Sequence, residues 1–215
     1  MHWSLVLAVA GSWASQEIDG IPFSVHLWCG YAVLVLVATR LIWGLIGTRH
    51  ARFTSFVKGP AAVWRYARTL LSPNPVAHPG HNPLGALMVL LLLVLLFGQA
   101  LSGLFANDQI LDTGPLFGYV SSALSDRLTT VHKQLFDFLL AAVALHVLAA
   151  VLYLVVKHEN LILPMLTGRK PAALVPVAER IRASRTWLAA LVAAALALGL
   201  YFLVQSAPEA SLFVF

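Results

Sequence analysis

The sequence predicts an all-α fold, an integral membrane bundle of five spanning helices, and three observations predict it. The 215 residues are 60% hydrophobic and only 11% charged, with a mean hydropathy of +0.83. A water-soluble domain of this length needs more charged surface. Apolar segments recur near the length of about 20 residues that crosses a bilayer as a helix. The loops between them alternate in charge sign without exception, as the positive-inside rule requires. The formal net charge of +5 would suggest nucleic acid in a soluble protein. Here the basic residues cluster in particular loops, so they mark membrane orientation and no nucleic-acid partner is expected.

The segments follow in order. Met1–Ser15 is apolar but short for a span, and it lacks the basic start of a cleaved signal peptide. Val25–Ile46 is the second span, after an acidic loop that carries Glu17 and Asp19. Leu84–Phe105 is the third. It follows Gly47–Pro83, which holds Arg49, Arg52, Lys58, Arg65 and Arg68 with no acid and ends in a run rich in proline and glycine. Within that loop, Phe53, Phe56, Val57, Ala61, Trp64 and Tyr66 lie among the basic residues, an amphipathic pattern suited to the inner membrane face. Thr130–Val156 is the fourth span, preceded by Ala106–Thr129 with Asp108, Asp112 and Asp126 against Arg127. Trp187–Val204 is the fifth, after the basic stretch Lys157–Thr186. The N-terminus is therefore expected in the cytoplasm and the C-terminus in the periplasm.

Four histidines fall on these apolar segments: His2, His26, His132 and His146. Ionisable side chains at membrane depth are costly and usually functional. His132 and His146 are fourteen residues apart, which brings a helix back to within about 40° of its starting direction and about 21 Å further along. Topology sets the depths. His26 and His132 begin their spans at the outer face, His2 begins the first span at the inner face, and His146 lies well inward. Two pairs result, His26 with His132 and His2 with His146. Neutral imidazole is a good iron ligand, and two pairs supply the axial positions of two stacked haems. Cys29 stands alone, with no CxxCH sequence, so the haem is non-covalent and b-type. Two axial imidazoles per haem favour electron transfer over chemistry at the iron.

The other polar residues are weighed against plainer roles. His50, His78, His81 and His158 lie in or beside the basic loops as solvated or headgroup residues. Pro79-Gly80 between His78 and His81 precludes a helical metal pair. Arg40, in the inner half of the second span, either snorkels to the cytoplasm or neutralises a propionate of the inner haem, and the propionate role is preferred. Arg127 and Lys133 suit the same role at the outer haem. Gly11, Gly30, Gly98 and Gly103 are candidates for close approach of helices or porphyrin.

The run His26-Leu-Trp-Cys-Gly-Tyr31, then Arg40-Leu-Ile-Trp-Gly44, Gly47-Thr-Arg-His-Ala-Arg-Phe53 and Gly80-His-Asn-Pro-Leu-Gly85 resembles the bacterial cytochrome b561 and nickel-hydrogenase b-type cytochrome family. The later His132 and His146, Lys157-His-Glu-Asn-Leu161 and Thr167-Gly-Arg-Lys170 extend the likeness to about residue 171. It implies a four-helix haem-binding core over 1–171, with a linker and a fifth helix over 172–215. It also implies ligand roles for His2, His26, His132 and His146. His2-Trp3 resembles the family's first-span His-Trp, whose usual Arg-containing lead-in is absent. With the short first span, that points to a natural start upstream of Met1.

The resemblance further implies an electron conduit in the bacterial plasma membrane, between the quinone pool and a redox partner such as a periplasmic cytochrome c. No bond-making step on substrate is implied. Alternatives are a membrane anchor for a hydrogenase or dehydrogenase subunit, a quinone-coupled superoxide oxidase, and a haem-free transporter or scaffold.

Overall fold

A computed structural model describes residues 1–69, 82–167 and 185–208. The chain forms eight α-helices over those residues: α1 (His2–Glu17), α2 (Phe23–Ile46), α3 (Phe53–Phe56), α4 (Pro60–Thr69), α5 (Pro83–Gly103), α6 (Ser122–Val156), α7 (Ile162–Thr167) and α8 (Thr186–Gln205). The all-helical expectation holds. Four of these, α2, α5, α6 and α8, are long and apolar enough to cross a membrane. Helix α1 has 16 residues, about 24 Å of rise against a hydrocarbon core of about 30 Å. The predicted first span is thus a helix, but one shorter than a crossing requires.

Local chemistry explains the helix boundaries. Asn82 accepts the Gly85 N–H on its Oδ1 at 2.8 Å as the cap of α5, and Pro83 takes the first helical position, where a missing N–H costs nothing. Helix α2 stops at Gly47, whose carbonyl accepts the Arg52 Nε–H at 2.8 Å, a basic cap of the kind that suits a helix C-terminus. A Cβ at Gly44 would lie 2.1 Å from the Phe53 ring, so only glycine lets the following segment fold back on α2.

Helix α6 corrects one expected boundary. It begins at Ser122 and runs 35 residues, about 52 Å, whereas hydropathy placed its start at Thr130. The added turns are polar, and their hydroxyls bond back into the helix. Thr129 donates to the Ser125 carbonyl at 2.9 Å, and Thr130 to that of Asp126 at 3.0 Å. Hydropathy marks where lipid begins, whereas the helix continues for as long as its backbone is satisfied.

The chain packs as two compact units. The first comprises Met1–Leu41, Leu93–Leu139 and the segment from Trp187, and the second comprises Ile42–Leu92 and Leu140–Thr186. In the first, Ala8, Val33, Val37, Leu93, Leu96 and Leu139 are buried. The segment between α5 and α6 belongs to it and is closely tied. Gly114 donates to the Ala106 carbonyl at 2.7 Å and Leu116 to that of Leu104 at 2.8 Å, while Asn107 and Thr113 form an isolated antiparallel bridge. Tyr119 donates its hydroxyl to the Ser206 carbonyl at 2.8 Å, which fastens the end of α8 to this segment. Helix α8 has no buried residue, as a helix facing lipid should. In the second unit Phe56, Ala86 and Ala142 are buried. Short helices α3 and α4 carry the amphipathic pattern seen in the sequence, with Trp64 62% exposed and the Arg68 guanidinium 5.3 Å from its ring centre. The predicted boundary at 171/172, and His78 and His81, lie outside the described residues.

Candidate functional site

Residues of α1, α2, α5, α6 and the segment between α5 and α6, all within the first unit, line a half-open cavity of about 600 Å³ that includes His26 and His132. His26 sits in the first turn of α2, with the Phe23 ring stacked on it at 5.6 Å between centres and 11° between planes. His132 sits on α6, ten residues past its first residue, because the helix begins before the apolar span does. The two imidazole centres are 6.2 Å apart, with planes at 74°.

Each ring is fixed through the nitrogen nearer its backbone. His26 Nδ1 lies 3.0 Å from the Ser12 carbonyl oxygen of α1, and His132 Nδ1 lies 2.9 Å from the Gln99 carbonyl oxygen of α5. A carbonyl oxygen only accepts, so both rings carry their proton on Nδ1 and keep the Nε2 lone pair. An imidazole held this way is prepared to ligate a metal. The Ser12 hydroxyl stands 3.1 Å from His26 Nδ1, and the Ser102 hydroxyl 3.4 Å from His132 Nδ1.

The cavity wall between and beside the rings is kept low. A Cβ at Gly103 would lie 2.8 Å from His132 Cε1, and one at Gly98 would lie 3.2 Å from Leu135. A Cβ at Gly11 would lie 3.0 Å from Cys29 Sγ. Gly30, one turn after His26, lines the cavity and has open space where its Cβ would be. All four glycines had been singled out for close approach. Three make it, and the fourth leaves room. The Gln99 amide nitrogen is 3.2 Å from His132 Nε2, while the amide oxygen is buried with no hydrogen-bond partner among the described residues. A buried polar atom left over beside a cavity marks a wall shaped for more than protein.

These observations fit a haem. An imidazole–metal–imidazole arrangement with bonds of about 2 Å puts ring centres roughly 6 Å apart, as found here. The cavity lies within the range of about 300–1,000 Å³ usual for small-molecule and cofactor sites. Among the described residues no three His, Cys, Asp or Glu side chains gather as a metal site; a bis-imidazole haem asks for only two.

Glu17, Asp108, Asp112 and Asp137 also line the cavity, against one cation among the described residues, Lys133. Asp108 accepts the N–H groups of Ile110, Leu111 and Asp112 on one oxygen at 2.8, 2.9 and 2.9 Å. These backbone donors, that of Ile110 foremost, hold its carboxyl below the usual carboxylate range. The turn they fix presents Ile110 and Leu111 almost wholly to the outside.

The other predicted residues lie as follows. His2 is exposed in the first turn of α1, its ring edge-on to Trp3 at 5.4 Å. His146 is half-buried on α6 and belongs to the second unit. Arg40 is half-buried on α2, Arg127 lies on α6, and His50 and His158 are exposed. In the second unit the Tyr66 and Tyr153 hydroxyls meet at 2.6 Å, and Asn82 donates to Tyr153 at 2.9 Å. Burial, reinforced by Tyr153, pushes the Tyr66 phenol upward. Sequence reasoning missed Ser12, Ser15, Gln99 and Ser102. Their signal was available, since each is a polar residue inside an apolar helix.

The family described as prokaryotic cytochrome b561 matches residues 1–168. A protein of Yersinia pestis, described as "Probable superoxide oxidase CybB", is 27% identical over 187 residues, covering 79% of this chain and 93% of its own. A second relative, from Rhizobium leguminosarum bv. viciae, is described as "Probable Ni/Fe-hydrogenase B-type cytochrome subunit". It is 25% identical over 202 residues, covering 79% of this chain and 84% of its own. No solved structure matches the chain.

Proposed function

From the premise that this chain belongs to the prokaryotic cytochrome b561 family, a multi-pass membrane cytochrome of electron transport that binds b-type haem, we propose that it is a di-haem electron conduit. It carries electrons across the bacterial plasma membrane between the quinone pool and a redox partner on the periplasmic side. The observation that carries this reading is the pair of imidazoles, His26 and His132, facing one cavity at 6.2 Å with both Nδ1 positions engaged. His26 and His132 hold one haem, and the candidate ligands for the second are His2 and His146. The b-type haems supply reversible one-electron chemistry when bound.

The chain's own residues supply the rest. Ser12 and Gln99 carbonyls orient the imidazoles, Gly103 gives the His132 ring its space, and Gly30 leaves room on the cavity wall. Arg40 is assigned to compensate a propionate of the inner haem, a role that suits a guanidinium within an apolar span. The four carboxylates that line the cavity repel an anionic reductant such as superoxide and attract a basic protein surface. That balance favours a positively charged carrier such as a cytochrome c over the small-anion activity in the first relative's description.

A reduced-minus-oxidised spectrum of the purified protein, with haem quantified per chain, tests the reading. Two b-type haems per chain are expected, and no b-type band overturns it. Electron exchange with a basic carrier is expected to slow steeply as salt rises. A rate indifferent to salt removes the cytochrome c arm of the proposal.

A further inference from the structure

The carbonyl oxygens that hold the two imidazoles each also meet a serine hydroxyl, directly on α1 and as the longer branch of a forked bond on α5. On α1 the Ser12 carbonyl oxygen accepts His26 Nδ1–H at 3.0 Å and also the hydroxyl of Ser15 at 2.7 Å. On α5 the Gln99 carbonyl oxygen accepts His132 Nδ1–H at 2.9 Å and also the longer branch, 3.1 Å, of a forked bond from the Ser102 hydroxyl, whose shorter branch of 2.7 Å goes to the Gly98 carbonyl. In each case the serine stands three residues after the carbonyl. Both serines are buried, Ser15 at 6% and Ser102 at 5% exposure.

Two donors on one oxygen draw on the same lone-pair density. A serine hydroxyl at the carbonyl therefore weakens the bond that the carbonyl makes to the imidazole N–H. A weaker Nδ1–H···O bond leaves the imidazole less anionic and less basic at Nε2. A less basic axial ligand stabilises the oxidised iron less, which raises the reduction potential. We propose that Ser15 and Ser102 are positioning residues that set the potential of the haem held by His26 and His132, by competing for the carbonyl oxygens to which those imidazoles donate. The proposal rests on the ligand reading above. A serine that merely satisfies its own hydroxyl on the preceding turn would leave the potential unmoved.

The test is a spectroscopic redox titration of the purified holoprotein and of Ser15→Ala, Ser102→Ala and the double variant. Haem per chain is measured in parallel. The wave to be followed is the one that His132→Ala abolishes. Each single variant is expected to keep its haem and to shift that wave to lower potential, a fall of roughly three- to tenfold in the reduction equilibrium. Ser15→Ala gives the larger shift and Ser102→Ala lies at the lower end, because the Ser102 hydroxyl is divided between two carbonyls. Tenfold is about 59 mV for one electron. The double variant shifts further, and Ser15→Thr, which retains the hydroxyl, restores the native value. The other wave stays in place.

An unshifted wave in Ser15→Ala and Ser102→Ala, with haem retained, overturns the proposal, as does an upward shift. If Ser15→Ala sheds haem, Ser102→Ala alone decides by the same criterion. Full haem content in His26→Ala and His132→Ala is a different failure. It removes the ligand reading itself, whatever the serine variants do.

Discussion

In the first unit, polar groups inside apolar helices converge on a cavity and stop short of satisfying it. In the second they close on one another. Ser12, Gln99 and the serines near them engage the Nδ1 side of each imidazole on a shared cavity, where the Gln99 amide nitrogen stands 3.2 Å from His132 Nε2 and its amide oxygen is left without a partner among the described residues. Tyr66, Tyr153 and Asn82 instead form a chain whose last member caps α5. The contrast separates a site from a tie. Both are hydrogen-bond networks among buried or half-buried residues, and both occupy an otherwise apolar bundle, where an unmet polar group is expensive. The first network ends on a buried amide oxygen without a partner among the described residues, whereas the second closes on its own members.

The contrast can be broken most decisively at the imidazoles. His132→Ala and His26→Ala are each expected to lose about half the haem per chain, read from the reduced-minus-oxidised absorbance. His146→Ala is expected to lose the other half. Retention of full haem in His132→Ala and His146→Ala alike would show the pairing to be wrong.

Next in size is Gly103→Val. Its side chain enters where the His132 ring lies, since even a Cβ would stand 2.8 Å from Cε1. Haem content is expected to fall severalfold at this site while helix content by circular dichroism holds. An unchanged haem stoichiometry would mean that the ring has room to move.

Tyr153→Phe tests the other side of the comparison. It removes two hydrogen bonds, a loss of about 1–3 kcal/mol. The expected result is a lowered unfolding temperature in detergent with the haem spectrum and stoichiometry intact. Haem loss in this variant would make the network part of a site after all.

The smallest effect belongs to the Asp108 turn. Its folded carboxyl titrates below the ordinary value. The ordering it gives is therefore present above the unfolded value of about 3.9 and is lost as pH falls through the lower folded one. Amide exchange at Ile110, Leu111 and Asp112 is expected to quicken on acidification through that range, beyond its intrinsic pH dependence, and Asp108→Ala is expected to show the quickened exchange at neutral pH. Identical protection in the two proteins at neutral pH would rule out a role for the carboxylate.

Much of this was legible in residue order, and the exceptions have causes. Hydropathy located the apolar helices because burial in lipid is a local, additive property of a segment. It misplaced the start of α6, because Ser125, Thr129 and Thr130 keep a polar stretch helical without making it apolar. The glycines were flagged for close approach, but only the fold shows Gly103 against His132 and Gly30 facing space. Asn82-Pro83 has the form of a helix cap, whereas its bond to Tyr153, 71 residues away, leaves no pattern along the chain.

Sequence alone determined the helical membrane class, the loop charges and the presence of imidazoles where imidazoles are costly. Each of these is a free energy carried by a residue and its near neighbours. Tertiary structure decided which carbonyl each imidazole meets and that His26 and His132 face one cavity. Those facts join residues 14 and 33 positions apart, and a hydrogen bond between helices depends on packing geometry that neither helix encodes by itself.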